Sequence, residues 1–175
     1  MLEKYIVLLR GINVSGKNRL PMQDLRNLLY NLDYQTVQTY IQSGNIILNS
    51  DEDKPEIAWK IKEGIENRFE YNVPVIIRTV DEWKEAITNN PYPTDEEKLL
   101  YFTFLNEIPK NTDIEVNGTK DDAYTIVNDV VYLYCLGGYG NTKLSNQLFE
   151  KKLKVSATSR NYRTVYKLLE LATTN

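Results

Sequence analysis

The uninterrupted apolar run from Tyr5 to Leu9, which ends at Arg10, limits the fold more than any other segment of the chain. A run without polar alternation is typical of a strand that is covered on both faces or lies at the centre of a sheet. We therefore predict a buried, central strand over residues 4–10. Such a strand must be covered by further strands and helices, which the rest of the chain has to supply.

The segments after this strand alternate between helical and extended periodicity. Ile57, Ile61, Ile65 and Phe69 recur at every fourth position along one helix face, and the glycine of Ser43-Gly44-Asn45 permits a tight hairpin turn. The patterns predict a helix at 22–32, strands at 36–42 and 46–49, a helix at 55–69, a strand at 73–78 and a short helix at 81–89. The order β-α-β-β-α-β is that of ferredoxin-like sheets.

A proline-rich stretch, Asn90-Pro91-Tyr92-Pro93, marks the predicted boundary between two subdomains. Residues 1–90 are predicted to form a ferredoxin-like α+β subdomain. Residues 91–175 are predicted to form a second α+β subdomain, with a smaller β-hairpin that turns at Asn128-Asp129 and a C-terminal helical pair. The two helices are predicted at about 143–153 and 160–172. The sequence itself contains no recognisable repeat.

Composition restricts the chemistry of the 175-residue chain. It has no histidine and one cysteine, Cys135, so catalytic Ser-His-Asp and Cys-His arrangements are excluded and the usual zinc ligands are missing. Carboxylates that suit Mg²⁺ occur at Asp51-Glu52-Asp53 and Asp121-Asp122, but adjoining turn residues favour solvated loops. We predict no metal and no cofactor. The single cysteine, and the lack of a signal-peptide pattern or an apolar run of about 20 residues, predict a cytoplasmic protein without a membrane partner.

Residues 11–18 resemble the phosphate-binding loop G-x-x-x-x-G-K-[ST] except at the last position, where Asn18 replaces the hydroxyl that holds Mg²⁺. The helix that should open at Lys17 is instead predicted to begin at Pro21. Binding of a nucleoside triphosphate with Mg²⁺ is therefore not predicted. The segment remains a long polar loop at a strand end, where ligand contacts are common. Alternatively, its polar side chains satisfy its own backbone.

Charge is distributed unevenly although the net charge is only −3. Residues 1–49 carry five Lys or Arg against three Asp or Glu, residues 50–122 carry nine against eighteen, and residues 123–175 carry seven against three. If the two basic ends meet, they form a positive surface that attracts anions. The alternatives are ordinary solvated helix faces and charge pairing between subunits, so an oligomer is possible.

The residues predicted to bind a ligand come from three segments. They are Arg10, Asn13, Lys17 and Asn18 in the loop, Ser43 and Asn45 in the turn, and Arg160, Asn161 and Arg163 at the predicted start of the last helix. An arginine at the positive end of a helix costs about 0.3–1 kcal/mol, whereas a bound anion makes it favourable. We therefore predict that Arg160 and Arg163 meet the loop in one anion site. The alternatives are a plain hairpin at 43–45 and arginines that point outward or pair with glutamates.

Several motifs in the same order resemble one bacterial family. They are Arg10-Gly11-Ile12-Asn13-Val14, Gly16-Lys17-Asn18, Tyr40-Ile41-Gln42-Ser43-Gly44-Asn45, Arg78-Thr79, Thr158 and Arg160-Asn161-Tyr162-Arg163-Thr164. With them, nearly the whole chain resembles the family known as domain of unknown function 1697. Ser15 and Tyr162 stand where that family commonly has Gly and Trp. The resemblance implies a ferredoxin-like α+β architecture and brings no established reaction.

The predicted function is that of a binding module for a phosphate-bearing ligand, either a nucleotide-like small molecule or a nucleic-acid backbone. Such contacts need only Arg, Lys, hydroxyl groups and backbone amides, all of which the chain supplies. One alternative is an enzyme that acts on a phosphorylated metabolite, with Lys17, Arg160 and Arg163 stabilising negative charge. No base or catalytic residue is identified for it. The other alternative is a non-catalytic assembly protein.

Overall fold

The computed structural model describes residues 1–174, which form five α-helices and eight β-strands in a mixed α+β fold. In chain order the elements are β1 (Glu3–Leu9), α1 (Met22–Asn31), β2 (Val37–Tyr40), β3 (Asn45–Ser50), α2 (Lys54–Phe69), β4 (Val75–Thr79), α3 (Val80–Thr88), β5 (Leu100–Leu105), β6 (Ala123–Val127), β7 (Val130–Tyr134), α4 (Asn146–Leu153), β8 (Ala157–Asn161) and α5 (Tyr162–Thr173). Two compact units result. Among the described residues, the first comprises Met1–Lys84 and 168–174, and the second comprises Glu85–Lys167.

The first unit contains a four-stranded antiparallel sheet in the order β2-β3-β1-β4. Strand β1 lies between β3 and β4, and residues Tyr5 to Leu9 are buried, which confirms the predicted central strand. The core of this unit joins Val7 and Leu9 of β1 to apolar residues of α1 and α2, such as Leu25 and Ile61. The core therefore fixes the end of β1, from which the loop 10–19 emerges.

Helix α2 illustrates how local sequence sets the element bounds in this unit. Its N-cap is Asp53, whose side chain accepts a hydrogen bond from the Glu56 backbone N–H at 2.9 Å. Pro55 lies in the first turn, where it removes no helical hydrogen bond. The helix ends at Phe69 because the C-cap residue Glu70 is left-handed, with φ of 60°. The predicted helix at 55–69 is thus confirmed.

The second unit differs from the predicted hairpin with helices, because it contains a complete four-stranded antiparallel sheet in the order β6-β7-β5-β8. The hairpin itself is confirmed as β6 and β7, with Asn128 in a left-handed turn conformation at φ of 53°. Strand β8 replaces the predicted start of the last helix at residue 160. Its residues Ala157–Asn161 pair with the aromatic strand β5. Strand β5 lies far away in sequence, so local periodicity does not reveal this pairing. The predicted last helix therefore begins too early, at residue 160 instead of Tyr162.

The two sheets share one strand order, a repetition that the sequence alone does not reveal. In each unit the first strand lies between the third and the fourth, and the second strand is at the outer edge. The fourth strands also correspond, since Arg78 lies opposite Ile6 and Arg160 lies opposite Phe102. The repetition is incomplete, because the irregular residues 106–122 take the place of α1 in the second unit.

The core of the second unit contains Leu105, Val131, Phe149 and Leu153. Cys135 is buried within the same cluster. Burial raises the pKa of its thiol to about 11, so the reactive thiolate is scarce at neutral pH. In the chain described, no helix has the length and apolar character needed to cross a bilayer.

Candidate functional site

The loop after β1 is folded on itself rather than extended. Five of its residues have positive φ, namely Gly11 at 75°, Asn13 at 53°, Ser15 at 50°, Gly16 at 74° and Asn18 at 49°. An isolated antiparallel bridge joins Val14 to Lys17, with the Lys17 N–H donating to the Val14 carbonyl at 2.9 Å. Helix α1 begins only at Met22, so the loop does not lead into a helix at Lys17 as a phosphate-binding loop would.

Two asparagines hold the loop in this shape. The Asn13 side chain donates to the carbonyl of Leu20 at 2.9 Å and of Gln42 at 2.8 Å, and its Oδ1 accepts from the Leu20 N–H at 2.8 Å. Asn18 Nδ2 donates to the Gly11 carbonyl at 3.0 Å. Both side chains satisfy the backbone of their own loop or of the adjacent turn, which favours the structural interpretation of these two residues. Direct ligand contact by either of them stays a prediction.

The turn between β2 and β3 packs directly against this loop. The Leu9 N–H donates to the Gly44 carbonyl at 2.8 Å, and a Cβ at Gly44 would lie 2.8 Å from Ile12 Cδ1 and from Leu9 Cβ. Buried Asn45 donates to the Tyr40 carbonyl and to Ser43 Oγ, both at 2.9 Å. Ser43 and Asn45 therefore shape the turn, and their predicted role as ligand contacts is not established.

The exposed groups at the loop tip, residues 14–19, are chemically different from the groups that hold the loop. Lys17 and Arg19 are exposed, and neither side chain forms an ion pair within residues 1–174. The Ser15 and Gly16 N–H groups likewise make no hydrogen bond to the described chain. The tip therefore presents two cations, one hydroxyl and two backbone donors to solvent. Arg19 was not among the predicted ligand residues, although it stands in the same polar segment.

The predicted residues of the second unit take different positions from those expected. Arg160 lies in β8 and is buried, so the prediction that it opens the last helix is wrong. Its Nη1 donates to Thr158 Oγ1 at 2.7 Å and to the Ser159 carbonyl at 2.9 Å. Burial lowers the pKa of its guanidinium to about 10, which leaves it charged at neutral pH.

Asn161 and Arg163 flank the true start of α5 at Tyr162. The Asn161 Oδ1 accepts from the Thr164 N–H at 2.8 Å, as an N-cap does. The Arg163 side chain is 83% exposed and pairs with Glu97 at 3.3 Å, in line with the alternative of pairing with glutamates. A shared anion site of Arg160 and Arg163 with the loop stays a prediction.

The acidic segment at 51–53 has structural roles. Glu52 accepts from the Tyr34 hydroxyl at 2.8 Å and pairs with Lys60 beside a cavity of about 400 Å³, while Asp53 caps α2. Among the described residues, no three His, Cys, Asp or Glu side chains are arranged to hold a metal ion. Burial alone would raise the pKa of Glu52, but hydrogen bonds from Lys60 and Tyr34 outweigh it and hold the pKa below 4.5.

Replacing Glu52 with Gln is expected to lower the free energy of unfolding by about 1 kcal/mol near pH 7, because the hydrogen bonds lose their charge. A carboxyl whose pKa is depressed in the folded state stabilises the fold above its unfolded value of 4.5. This contribution disappears as the pH falls through the folded pKa. Urea denaturation of both proteins from about pH 7 to about pH 3 should therefore give converging stabilities. Glu66→Gln is the control, because Glu66 is an exposed residue of α2. An unchanging difference between Glu52→Gln and wild type would contradict the expectation.

The chain is similar to known proteins both in sequence and in structure. The model of the family described as "Protein of unknown function (DUF1697)" matches residues 2–132. No curated protein shows a significant match to the chain. Among solved structures, the conserved bacterial protein SP0830 from Streptococcus pneumoniae is 24% identical, with a TM-score of 0.71. The alignment covers 99% of this chain and 100% of that protein. At this identity the likeness bears on the fold alone.

Proposed function

Because this chain belongs to the DUF1697 family of proteins of unknown function, we propose its function from its own residues: it binds a phosphate-bearing anion at the loop tip, residues 14–19. The observation that carries the proposal is the combination of the exposed Lys17 and Arg19 with the unbonded N–H groups of Ser15 and Gly16. Exposed cations and free backbone donors in one short loop are groups that phosphate oxygens bind.

Backbone conformation supports this choice of ligand. Ser15 and Gly16 are consecutive left-handed residues, with φ of 50° and 74°. Successive N–H groups in turns of this kind form concave donor sites for anions. A Cβ at Gly16 would meet nothing within 4 Å, so the space beside this backbone is open to a ligand. The bonds of Asn13 and Asn18 keep the donors in place before a ligand arrives, which reduces the entropy lost on binding.

The charge around the tip favours an anion as well. Residues 10–20 contain three cations and no carboxylate, and residues 34–49, which include the adjoining turn, contain no charged residue at all. No acidic side chain of these two segments therefore competes with a bound anion for Lys17 or Arg19. Because the cations are exposed, we expect a modest affinity that falls as ionic strength rises.

The proposed ligand is not a nucleoside triphosphate bound with Mg²⁺. Asn18 provides no hydroxyl for the ion, and its Nδ2 is engaged with the Gly11 carbonyl. Helix α1 begins only at Met22, outside the loop tip, and the effect of a helix dipole is confined to the first turn. The α1 dipole therefore does not contribute to phosphate binding at Lys17. The proposed site thus relies on side-chain cations and loop N–H groups.

The double variant Lys17→Gln/Arg19→Gln is expected to remove the stabilisation by phosphate that the loop tip provides. A ligand at about 100 times its dissociation constant adds about 2.7 kcal/mol to the free energy of unfolding of a protein with one site. Thermal unfolding should be measured with inorganic phosphate and, separately, with a short single-stranded oligonucleotide. Stabilisation by the oligonucleotide far beyond that by phosphate at equal phosphate concentration would identify the source as a nucleic-acid backbone.

Lys98→Gln/Lys120→Gln is the matched control, since it removes two exposed cations of the second unit and changes the net charge equally. The control should respond to phosphate as wild type does. If the loop variant keeps the full response, or if the control loses it equally, the proposal is overturned. Both substitutions in the loop affect exposed side chains, so the unliganded protein should keep its stability within about 0.5 kcal/mol.

A further inference from the structure

The second unit contains a cavity of about 330 Å³ that the proposed function does not use. It lies between the segment after β5 and the turn from α4 to β8. Lys110, Lys152 and Lys154 line it together with one carboxylate, Glu107. Its apolar lining comes from Ile108, Leu153 and Val155. We call this cavity the lysine pocket. Its volume lies in the range of small-molecule sites.

The repeated strand order gives the lysine pocket a counterpart in the first unit. The Arg10 N–H donates to the Pro74 carbonyl at 3.0 Å just after β1, and the Asn106 N–H donates to the Ser156 carbonyl at 3.0 Å just after β5. Each bond ties the end of the first strand to the segment that enters the fourth. The lysine pocket therefore opens at the position in the second unit from which the loop 10–19 emerges in the first.

The segments before the fourth strands correspond in the same way. Helices α2 and α4 both end in left-handed C-cap residues, Glu70 with φ of 60° and Lys154 with φ of 59°. The charge at this position is reversed between the two units. In the second unit, Lys154 adds a third ammonium group to the lining of the pocket, beside those of Lys110 and Lys152.

The electrostatics of the lysine pocket favour an anion. All three lysines are exposed, and none forms an ion pair within the described chain. The dipole of α4 favours cations at its C-terminal end, which accounts for Lys152 and Lys154. It does not account for Lys110, which comes from a different segment and lines the same cavity. Three ammonium groups against one carboxylate leave an excess of positive charge for a ligand to neutralise.

The apolar lining narrows the class of anion. Ile108 is 63% exposed, whereas Leu153 is buried and Val155 is partly buried. A bare phosphate would leave the exposed Ile108 in water, while an apolar chain attached to the anion would cover it. We propose that the lysine pocket binds a small amphipathic anion, a phosphate monoester that carries a short alkyl chain. This second site is independent of the loop tip.

The test is a titration of the ¹⁵N-labelled full chain, followed by amide chemical shifts, with three probes: butyl phosphate, inorganic phosphate and butanol. Butyl phosphate should shift the amides of 107–111, apart from Pro109, and those of 152–155. It should bind there at least about tenfold more tightly than inorganic phosphate, because alkyl groups leave water. Butanol should not saturate these amides. Equal binding of the two phosphates, or shifts confined to other residues, would overturn the proposal.

Variants identify the groups responsible. Lys110→Gln/Lys152→Gln/Lys154→Gln should weaken butyl phosphate at these amides by at least about tenfold, as expected when several cations are removed. Lys151→Gln is the matched control, because Lys151 is exposed on the same helix but does not line the pocket. Ile108→Ser should remove the preference for butyl phosphate over inorganic phosphate. Unchanged binding by the triple variant would overturn the proposal.

One further variant separates this site from the proposed function. Lys17→Gln/Arg19→Gln should leave the shifts at 107–111 and 152–155 unaltered while losing those at the loop tip. Loss of both sets of shifts in this variant would contradict the independence of the two sites. Shifts of 107–111 and 152–155 without any loop response would support the lysine pocket and overturn only the proposed function.

Discussion

Gly44→Ala is expected to lower the free energy of unfolding by about 3 kcal/mol or more, since it combines backbone strain with a steric clash. The φ of Gly44 is 87°, a conformation that residues with a Cβ rarely adopt. The added Cβ would lie 2.8 Å from Ile12 Cδ1 and from Leu9 Cβ, and both residues are buried in the core of the first unit. Urea denaturation measures the loss directly.

Gly16→Ala is the matched control for this experiment. Its φ is 74°, so it shares the backbone strain, but an added Cβ would meet nothing within 4 Å. We expect it to cost about 1–2 kcal/mol, the strain alone. The difference between the two variants isolates the steric contact of the turn with β1 and the loop. Equal losses would contradict the close packing at Gly44.

The segments with strong local periodicity were predictable. The apolar residues of β1 need no knowledge of their partners to specify a buried strand, and α2 carries its cap, its proline and its apolar stripe within its own sequence. The turn at Asn128-Asp129 is equally local, because Asn tolerates left-handed φ. In each case the physical cause lies within the element itself or directly beside it in sequence.

Strand β8 was not predictable in this way. This strand, Ala157–Asn161, is short and its residues are mostly polar, so it has no apolar periodicity of its own. They become a strand because β5, more than fifty residues earlier, offers a ladder of partners from Tyr101 to Leu105. Because the sequence analysis predicts no strand here, it expects Arg160 at a helix end, whereas Arg160 is buried in the sheet.

The sequence identifies the polar loop, but it does not show which of its residues hold the backbone and which are exposed. A polar loop at a strand end could be located from the chain alone. The Asn13 amide donates to the carbonyls of Leu20 and Gln42. These hydrogen bonds depend on how the loop folds and on where the turn 41–44 lies, and composition reveals neither. The exposed cations Lys17 and Arg19 are what remains once the structural asparagines are set aside.

Asn13→Ala is accordingly expected to lower the free energy of unfolding by about 2–4 kcal/mol. The side chain makes three hydrogen bonds, and two of them satisfy the backbone N–H and carbonyl of Leu20, a fully buried residue. The variant also loses the tolerance of Asn for a φ of 53°. Asn18→Ala, which removes one hydrogen bond, should cost less. Chemical denaturation of the two variants tests this order.

Asn13→Asp separates the acceptor of the side chain from its donors. The carboxylate can still accept from the Leu20 N–H, but it faces the carbonyl oxygens of Leu20 and Gln42, to which Asn13 donates. This repulsion should raise the pKa of the new carboxyl above its ordinary value of about 3.9. Protonation restores one donor, so the loss of stability relative to wild type should shrink as the pH falls through that pKa. A loss that is independent of pH would contradict the assigned hydrogen bonds.

The same variants decide whether Asn13 supports the site or contacts the ligand. If it only holds the loop, Asn13→Ala should lower stability and also weaken the phosphate response, because the N–H groups of Ser15 and Gly16 are no longer held in position. The residual response should still depend on Lys17 and Arg19. A variant that keeps full stability but loses phosphate binding would instead make Asn13 a direct ligand contact, and the sequence prediction for this residue would be right after all.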